Sequence, residues 1–199
     1  MHKLEMFFDC SSPWTYLGFE SLQQMLGRVK ADVLYRPFLV GGVFNAVNPS
    51  VYQNRENPVP LKQKYYAKDL KDWARYVGVQ IGSPPVFPVN SVKVMRGAFF
   101  AEKEGCLVPY ARAFFKAYWT DLRDISRPDV ITPVVESLGL PVQEFFNAID
   151  SAPYKDRLRA NTEELMRRGG FGSPTWFIDG TDMYFGNDRI PLIESALAV

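Results

Sequence analysis

The stretch Phe7-Phe8-Asp9-Cys10-Ser11-Ser12-Pro13-Trp14-Thr15-Tyr16-Leu17-Gly18 restricts the fold more than any other, because an apolar run stops at small polar residues and a helical pattern opens on a proline. Such a junction is the end of a buried strand turning into a helix. Pro13 suits the first helical position, where its missing N–H would have no partner in any case, and Ser12 then stands at the N-cap. The free amides and the dipole of a helix start favour negative charge, so this corner suits a thiolate.

The flanking residues extend the corner into a sheet. Leu4 to Phe8 reads as a buried strand, Trp14, Leu17, Gly18, Ser21, Leu22, Met25 and Leu26 form one helical stripe ending at Gly27, and Val33 to Phe38 supplies a second strand. A strand-helix-strand unit implies parallel strands and a right-handed crossover. Gly41 to Pro60, rich in Gly, Asn and Pro, reads as a long loop of functional kind.

From Lys62 the pattern is helical. Tyr66, Leu70, Trp73 and Val77 mark a helix ending at Gly78, and a Pro-rich connection over residues 84–88 leads to a helix capped by Asn90 or Ser91 and running to Gly105. Ala111, Phe114, Phe115, Tyr118 and Leu122 mark the next, residues 128–138 another that Pro133 should bend or break, and residues 141–149 and 154–168 two more. Strand character returns at residues 173–178, Asp179-Gly180 is a tight-turn signal, and residues 183–185 are the hairpin partner. Asn187 is placed to cap a last helix carrying Ile190, Ile193 and Leu197. The expected organisation is α/β, with a sheet lobe of residues 1–60 and 169–199 interrupted by a helical insertion over 61–168.

The 199 residues suffice for one sizeable core or for two tightly joined lobes. Lys+Arg 23 against Asp+Glu 22 leaves a net charge of +1, which argues against nucleic acid or an anionic membrane surface as partner and leaves small molecules. Two cysteines, Cys10 and Cys106, and no secretory signal pattern point to a reducing cytoplasm. No run approaches the roughly 18 apolar residues of a membrane span. His2 is the only histidine, so His-based triads and metal sites are not expected, and no metal is called for.

Ser12-Pro13-Trp14-Thr15 resembles the Cys-Pro-x-Cys motif of thioredoxin-fold disulfide oxidoreductases with both cysteines replaced by hydroxyls, which excludes redox cycling by two thiols. Ser-Pro at this turn is similar to kappa-class glutathione transferases and 2-hydroxychromene-2-carboxylate isomerases, and the whole-length pattern resembles the isomerases most. The segment from Tyr35 to Phe44, Asn57-Pro58, Lys62, and Ala160 to Glu164 share in the likeness. Ser173-Pro174 resembles the cis-proline loop facing the turn, and Phe185-Gly186-Asn187-Asp188-Arg189 resembles the segment that receives the γ-glutamyl end of glutathione.

The resemblance implies a thioredoxin-like fold with a large all-helical insertion, a homodimer, and glutathione as a cofactor that is not consumed. It implies that the Ser173 backbone pairs with the cysteinyl part, that the helix start at Gly186 to Arg189 takes the carboxylate, and that Asp188 takes the ammonium. The implied reaction is isomerisation of 2-hydroxychromene-2-carboxylate, or a similar catabolite of naphthalene type, to trans-o-hydroxybenzylidenepyruvate. Ser12 would hold the thiolate; as bland alternatives it is only a helix cap, Asn187 only an N-cap, and Pro174 an ordinary strand-initiating proline. Ser11 is the fallback for Ser12, and Cys10 is either a reactive thiol or a buried inert residue. Arg55, Asn57 and Lys62 are candidates to orient an anionic aromatic substrate, or else solvated surface residues. Tyr65, Tyr66, Trp73, Phe87 and Trp119 are expected in the core rather than in a pocket. A kappa-like transferase and a non-catalytic thioredoxin-like binding module are the rival functions.

Overall fold

The computed structural model describes residues 2–198. Strands β1 (Lys3–Phe8), β2 (Asp32–Pro37), β3 (Thr175–Ile178) and β4 (Asp182–Phe185) form one sheet in the order β2-β1-β3-β4. β1 runs parallel to β2 across helix α1 (Pro13–Leu26), as the strand-helix-strand reading requires, and antiparallel to β3 with Met6 opposite Trp176. The β3–β4 hairpin turns at Asp179 and Gly180, whose φ of 49° and 82° suit the primed turn that matches strand twist.

Eight helices separate β2 from β3: α2 (Val40–Val47), α3 (Ser50–Glu56), α4 (Pro60–Val77), α5 (Val92–Lys103), α6 (Leu107–Phe115), α7 (Pro128–Ser137), α8 (Val142–Asp150) and α9 (Ala152–Arg167). A last helix, α10 (Ile190–Leu197), follows the hairpin. The long loop expected over 41–60 is therefore corrected to two helices. Val40, Val43, Phe44, Val47 and Val51 recur at helical spacing, and the Gly pair and Asn-Pro corners obscure that period without preventing it.

Two smaller corrections concern the insertion. α7 runs through Pro133 from Pro128 to Ser137, so the proline does not end it. The stripe from Ala111 to Leu122 is not one helix: α6 ends at Phe115, a π-helical turn spans Lys116–Thr120, and Leu122 has left the helical region with φ 56°. β3 begins at Thr175, two residues later than expected.

The sheet buries both faces, which explains why Leu4, Met6, Phe7 and Phe8 of β1 are apolar on both sides of the strand. Leu4, Met6 and Phe8 of β1 and Trp176 and Ile178 of β3 enter the main cluster with Phe19, Phe99, Phe114, Phe115 and Phe145. Phe7 and Phe177 face the other way, against Phe38, Val43 and Leu165. Each fully buried phenylalanine contributes about 1.5–3 kcal/mol, so the packing that fixes the end of β1 also fixes the corner that follows it.

Candidate active site

Ser12 occupies the N-cap of α1 with extended backbone, φ −106° and ψ 124°, and its Oγ accepts the Thr15 N–H at 3.2 Å. The same hydroxyl donates to the Ser173 carbonyl at 3.4 Å. That is long for an O–H···O bond, whose usual range is about 2.5–3.0 Å, so the proton is weakly committed and free to turn to a stronger acceptor. The Ser173–Pro174 peptide bond is cis, and Ser173 Oγ lies 2.7 Å from Thr15 Oγ1.

The close approach of corner and loop depends on Gly18. A Cβ there would stand 3.1 Å from both Pro174 Cγ and Trp176 Cζ2. Ser12, Ser173 and Pro174, placed together from the sequence across 161 residues, are together in the fold.

Two clefts meet at this junction. The first, about 660 Å³, is lined by Ser11 and Ser12 from the corner, by Phe44, Val51 and Tyr52 from α2 and α3, and by the segment from Phe87 to Val92. The second, about 900 Å³, is lined by Lys62, Tyr66, Asp69 and Trp73 from α4 and by Asn187, Asp188 and Arg189. Trp14, Val51, Arg55, Phe87, Ser173 and Phe185 line both.

The first cleft is largely aromatic and aliphatic, and the second carries charges of both signs. Arg55 stands at their seam with its guanidinium 5.1 Å from the Phe87 ring centre, 5.8 Å from Phe44 and 5.9 Å from Tyr52. It makes no ion pair among the described residues.

The segment after β4 differs in detail from its sequence reading. Gly186 has φ 108°, and a Cβ on it would come 2.7 Å from Asp188 Oδ1, so the turn requires glycine. Asn187 does not cap α10; it opens a 3-10 turn, Asn187–Arg189, and Arg189 precedes the helix without a side-chain cap. Freed from capping, Asn187 is only 6% exposed, and its Nδ2 has no hydrogen-bond partner among the described residues. Asp188 Oδ2 accepts from Arg189 at 2.7 Å in an exposed pair.

The remaining candidates separate. Arg55 and Lys62 line the clefts, whereas Asn57 closes α3 as its C-cap and lies on neither wall. Of the five aromatics expected in the core, only Trp119 is buried, donating its indole N–H to the Cys10 carbonyl at 3.0 Å. Tyr66, Trp73 and Phe87 line the second cleft, and Tyr65 is exposed on α4.

Cys10 is buried. Burial, and then the neighbouring Asp9 charge, push its thiol well above the ordinary range. Ser11 lines the first cleft, but its backbone N–H is held by Asp9 Oδ1 at 2.9 Å.

Among the described residues no group of three His, Cys, Asp or Glu side chains could hold a metal ion, and no helix is long and apolar enough to cross a membrane. Sequence reasoning missed Trp14, Phe44 and Tyr52 as cleft walls and Asp9 beneath them. The valine and phenylalanine spacing from Val40 was the available signal for α2; nothing in the sequence marks Asp9 as buried.

The chain is 28% identical over 196 residues to a 2-hydroxychromene-2-carboxylate isomerase of Pseudomonas putida, covering 98% of this chain and 93% of that protein. It is 28% identical over 209 residues to human glutathione S-transferase kappa 1, covering 98% and 90%. A solved 2-hydroxychromene-2-carboxylate isomerase superposes with a TM-score of 0.84 at 25% identity, covering 98% of this chain and 94% of that one. The architecture is thus a thioredoxin-like α/β fold with a large helical insertion, and because the model of the DSBA-like thioredoxin domain matches residues 3–198, the chain belongs to that family.

Proposed function

We propose that the chain is a glutathione-dependent isomerase of 2-hydroxychromene-2-carboxylate or a similar aromatic catabolite of naphthalene type, working as a homodimer in the cytoplasm. One observation carries the reading: the Ser12 hydroxyl, at a helix N-terminus and on the wall of the apolar cleft, faces the cis Ser173–Pro174 loop, whose Ser173 lines the charged cleft as well. The likeness to the isomerases supports the substrate class.

The second cleft fits glutathione. The unpartnered Asn187 Nδ2 is a buried donor that a carboxylate would satisfy, and Arg189 adds a cation beside it. Asp188 would take the ammonium, which requires opening its exposed pair with Arg189, a pair worth about 0–1 kcal/mol. The Ser173 backbone would receive the cysteinyl part as an added strand, with Phe185, Pro174 and Gly186 shaping the space. When bound, glutathione supplies a thiol that adds to a conjugated carbon of the substrate and leaves again.

Ser12 does the protein's share at that sulfur. A hydrogen bond to a charged acceptor is worth roughly 1.5–3 kcal/mol, which favours the thiolate by about one to two pH units at 1.36 kcal/mol each. The start of α1 adds a smaller push in the same direction. Phe44, Tyr52 and Phe87 would flank an aromatic acceptor, with Arg55 and Lys62 available to its carboxylate.

The alternative with specific support is a kappa-like transferase, since kappa-class proteins stand among the relatives. The two are separated by following glutathione during turnover. An isomerase converts many substrate molecules with glutathione undiminished, a transferase consumes one per product, and a binding module turns over neither.

A further inference from the structure

Asp9 is 1% exposed, lies at the end of β1, and lines the floor of the first cleft. Its side chain holds the starts of separate helices together. Oδ1 accepts the Ser11 N–H at 2.9 Å, one residue before the α1 N-cap, and Oδ2 accepts the Val40 N–H at 2.9 Å, the first amide of α2. The Ser91 hydroxyl, at the N-cap of α5, also lies against it. The Asp9 carbonyl in addition accepts the Ser12 N–H at 3.2 Å. Beyond these anchor points, α2 contributes Phe44 to the cleft wall and the start of α5 contributes Ser91 and Val92.

A carboxyl group so placed has two effects on Ser12. It fixes the corner relative to both walls of the acceptor cleft, because loss of either oxygen would leave a half-buried backbone N–H without its acceptor. When ionised, it also sets a negative charge against the positive ends of these helices, close in the chain to the place where a second negative charge would form. The titratable groups near it are Cys10, the next residue along the corner, and Tyr118 from the turn after α6, both kept neutral by burial, while burial also raises the Asp9 carboxyl itself.

We propose that Asp9 is a positioning residue, whose carboxyl group joins the Ser12 turn to the walls of the first cleft and sets the acidity of a thiol held at that turn. The inference rests on the reading of Ser12 as the thiolate-holding group.

The test places a protein thiol at the same point, so that it needs no glutathione. In a Cys106→Ser background, Ser12→Cys is alkylated with iodoacetamide across a pH series, with and without Asp9→Asn, and melting curves confirm folding. Removing the buried carboxyl, and with it the negative charge it carries when ionised, should make the thiol more acidic and speed alkylation below its midpoint by about three- to tenfold, half to one pH unit. Ser91→Ala, which removes a group that favours the ionised carboxyl, should act in the same direction by about twofold, and it carries the test if Asp9→Asn does not fold. Coincident rate curves, with or without a lower melting temperature, would reduce Asp9 to a structural residue and overturn the proposal. A wild-type protein that binds no glutathione, while the alkylation rates respond as stated, would sink the glutathione reading and leave the Asp9 assignment standing.

Discussion

Asn187 offers a test in which stability and binding should move in opposite directions. Its Nδ2 is buried without a partner among the described residues, and a stranded donor of this kind costs the free protein about 1–3 kcal/mol. Asn187→Leu removes the donor at similar volume. The free protein should therefore melt at the same temperature or higher, by up to roughly 3 kcal/mol at about 2–4 °C per kcal/mol for a chain of this size. If the donor is kept for the γ-glutamyl carboxylate, the same change should weaken glutathione by about 1–3 kcal/mol, or roughly 5- to 150-fold in Kd. Differential scanning fluorimetry gives the first number and calorimetric titration the second. A melting temperature that falls while Kd stays constant would mean that Asn187 supports the fold and does not serve a ligand.

The other predictions concern the scaffold. In Gly97→Ala the new Cβ would stand 2.1 Å from the Tyr110 hydroxyl and 2.5 Å from Phe145 Cζ. Overpacking and loss of the Tyr110 bond to the Val94 carbonyl should outweigh the better helix propensity of alanine, for a net loss of about 1–5 kcal/mol in urea unfolding; an unchanged midpoint would show that α5, α6 and α8 can part at little cost. Glu5, 4% exposed, pairs with Arg36 at 3.0 Å and Arg168 at 2.8 Å. Burial alone would raise its carboxyl, but the two guanidinium groups outweigh that and hold it below the usual range. Its stabilisation is thus present above the unfolded value and lost as pH falls through the folded one. Glu5→Gln should cost about 3–5 kcal/mol at pH 7, and the gap from wild type should close on acidification; a gap independent of pH would refute the ion-pair account.

What was legible in the sequence was whatever local chemistry determines. Ser12-Pro13 announced a capped helix start, Asp179-Gly180 a hairpin, and the even run from Leu4 to Phe8 a central strand, because caps, primed turns and two-sided burial each need those residue types nearby. The α2–α3 segment was hidden for the converse reason. Gly41-Gly42, Asn48-Pro49 and Asn57-Pro58 have turn chemistry, yet tertiary packing of Val43 against Phe7 and Phe38 decides the conformation. That error carried into the site, since Phe44, Tyr52 and Arg55 become cleft walls only once these residues are helical. Asn187 looked like a cap because capping is the commonest work of an asparagine before a helix; the positive φ of Gly186, invisible in composition, redirects the chain and leaves the amide without its usual partner. Asp9 was beyond reach for a simpler reason. The carboxylate's main-chain partners are amides two and 31 positions away, and main-chain donors leave no trace in a sequence.

The central claim is that the Ser12 hydroxyl holds a glutathione thiolate at the start of α1. Its most direct test is the ultraviolet absorbance of bound thiolate followed against pH in the wild-type protein and in Ser12→Ala. The hydroxyl's present bonds are a 3.2 Å cap from Thr15 and a 3.4 Å contact to Ser173, so little is lost when its proton turns to sulfur. The wild-type midpoint should lie about one to two pH units below that of the variant, whose bound thiol should return toward a pKa of about 8.5. Titration curves that coincide would make Ser12 a helix cap and nothing more.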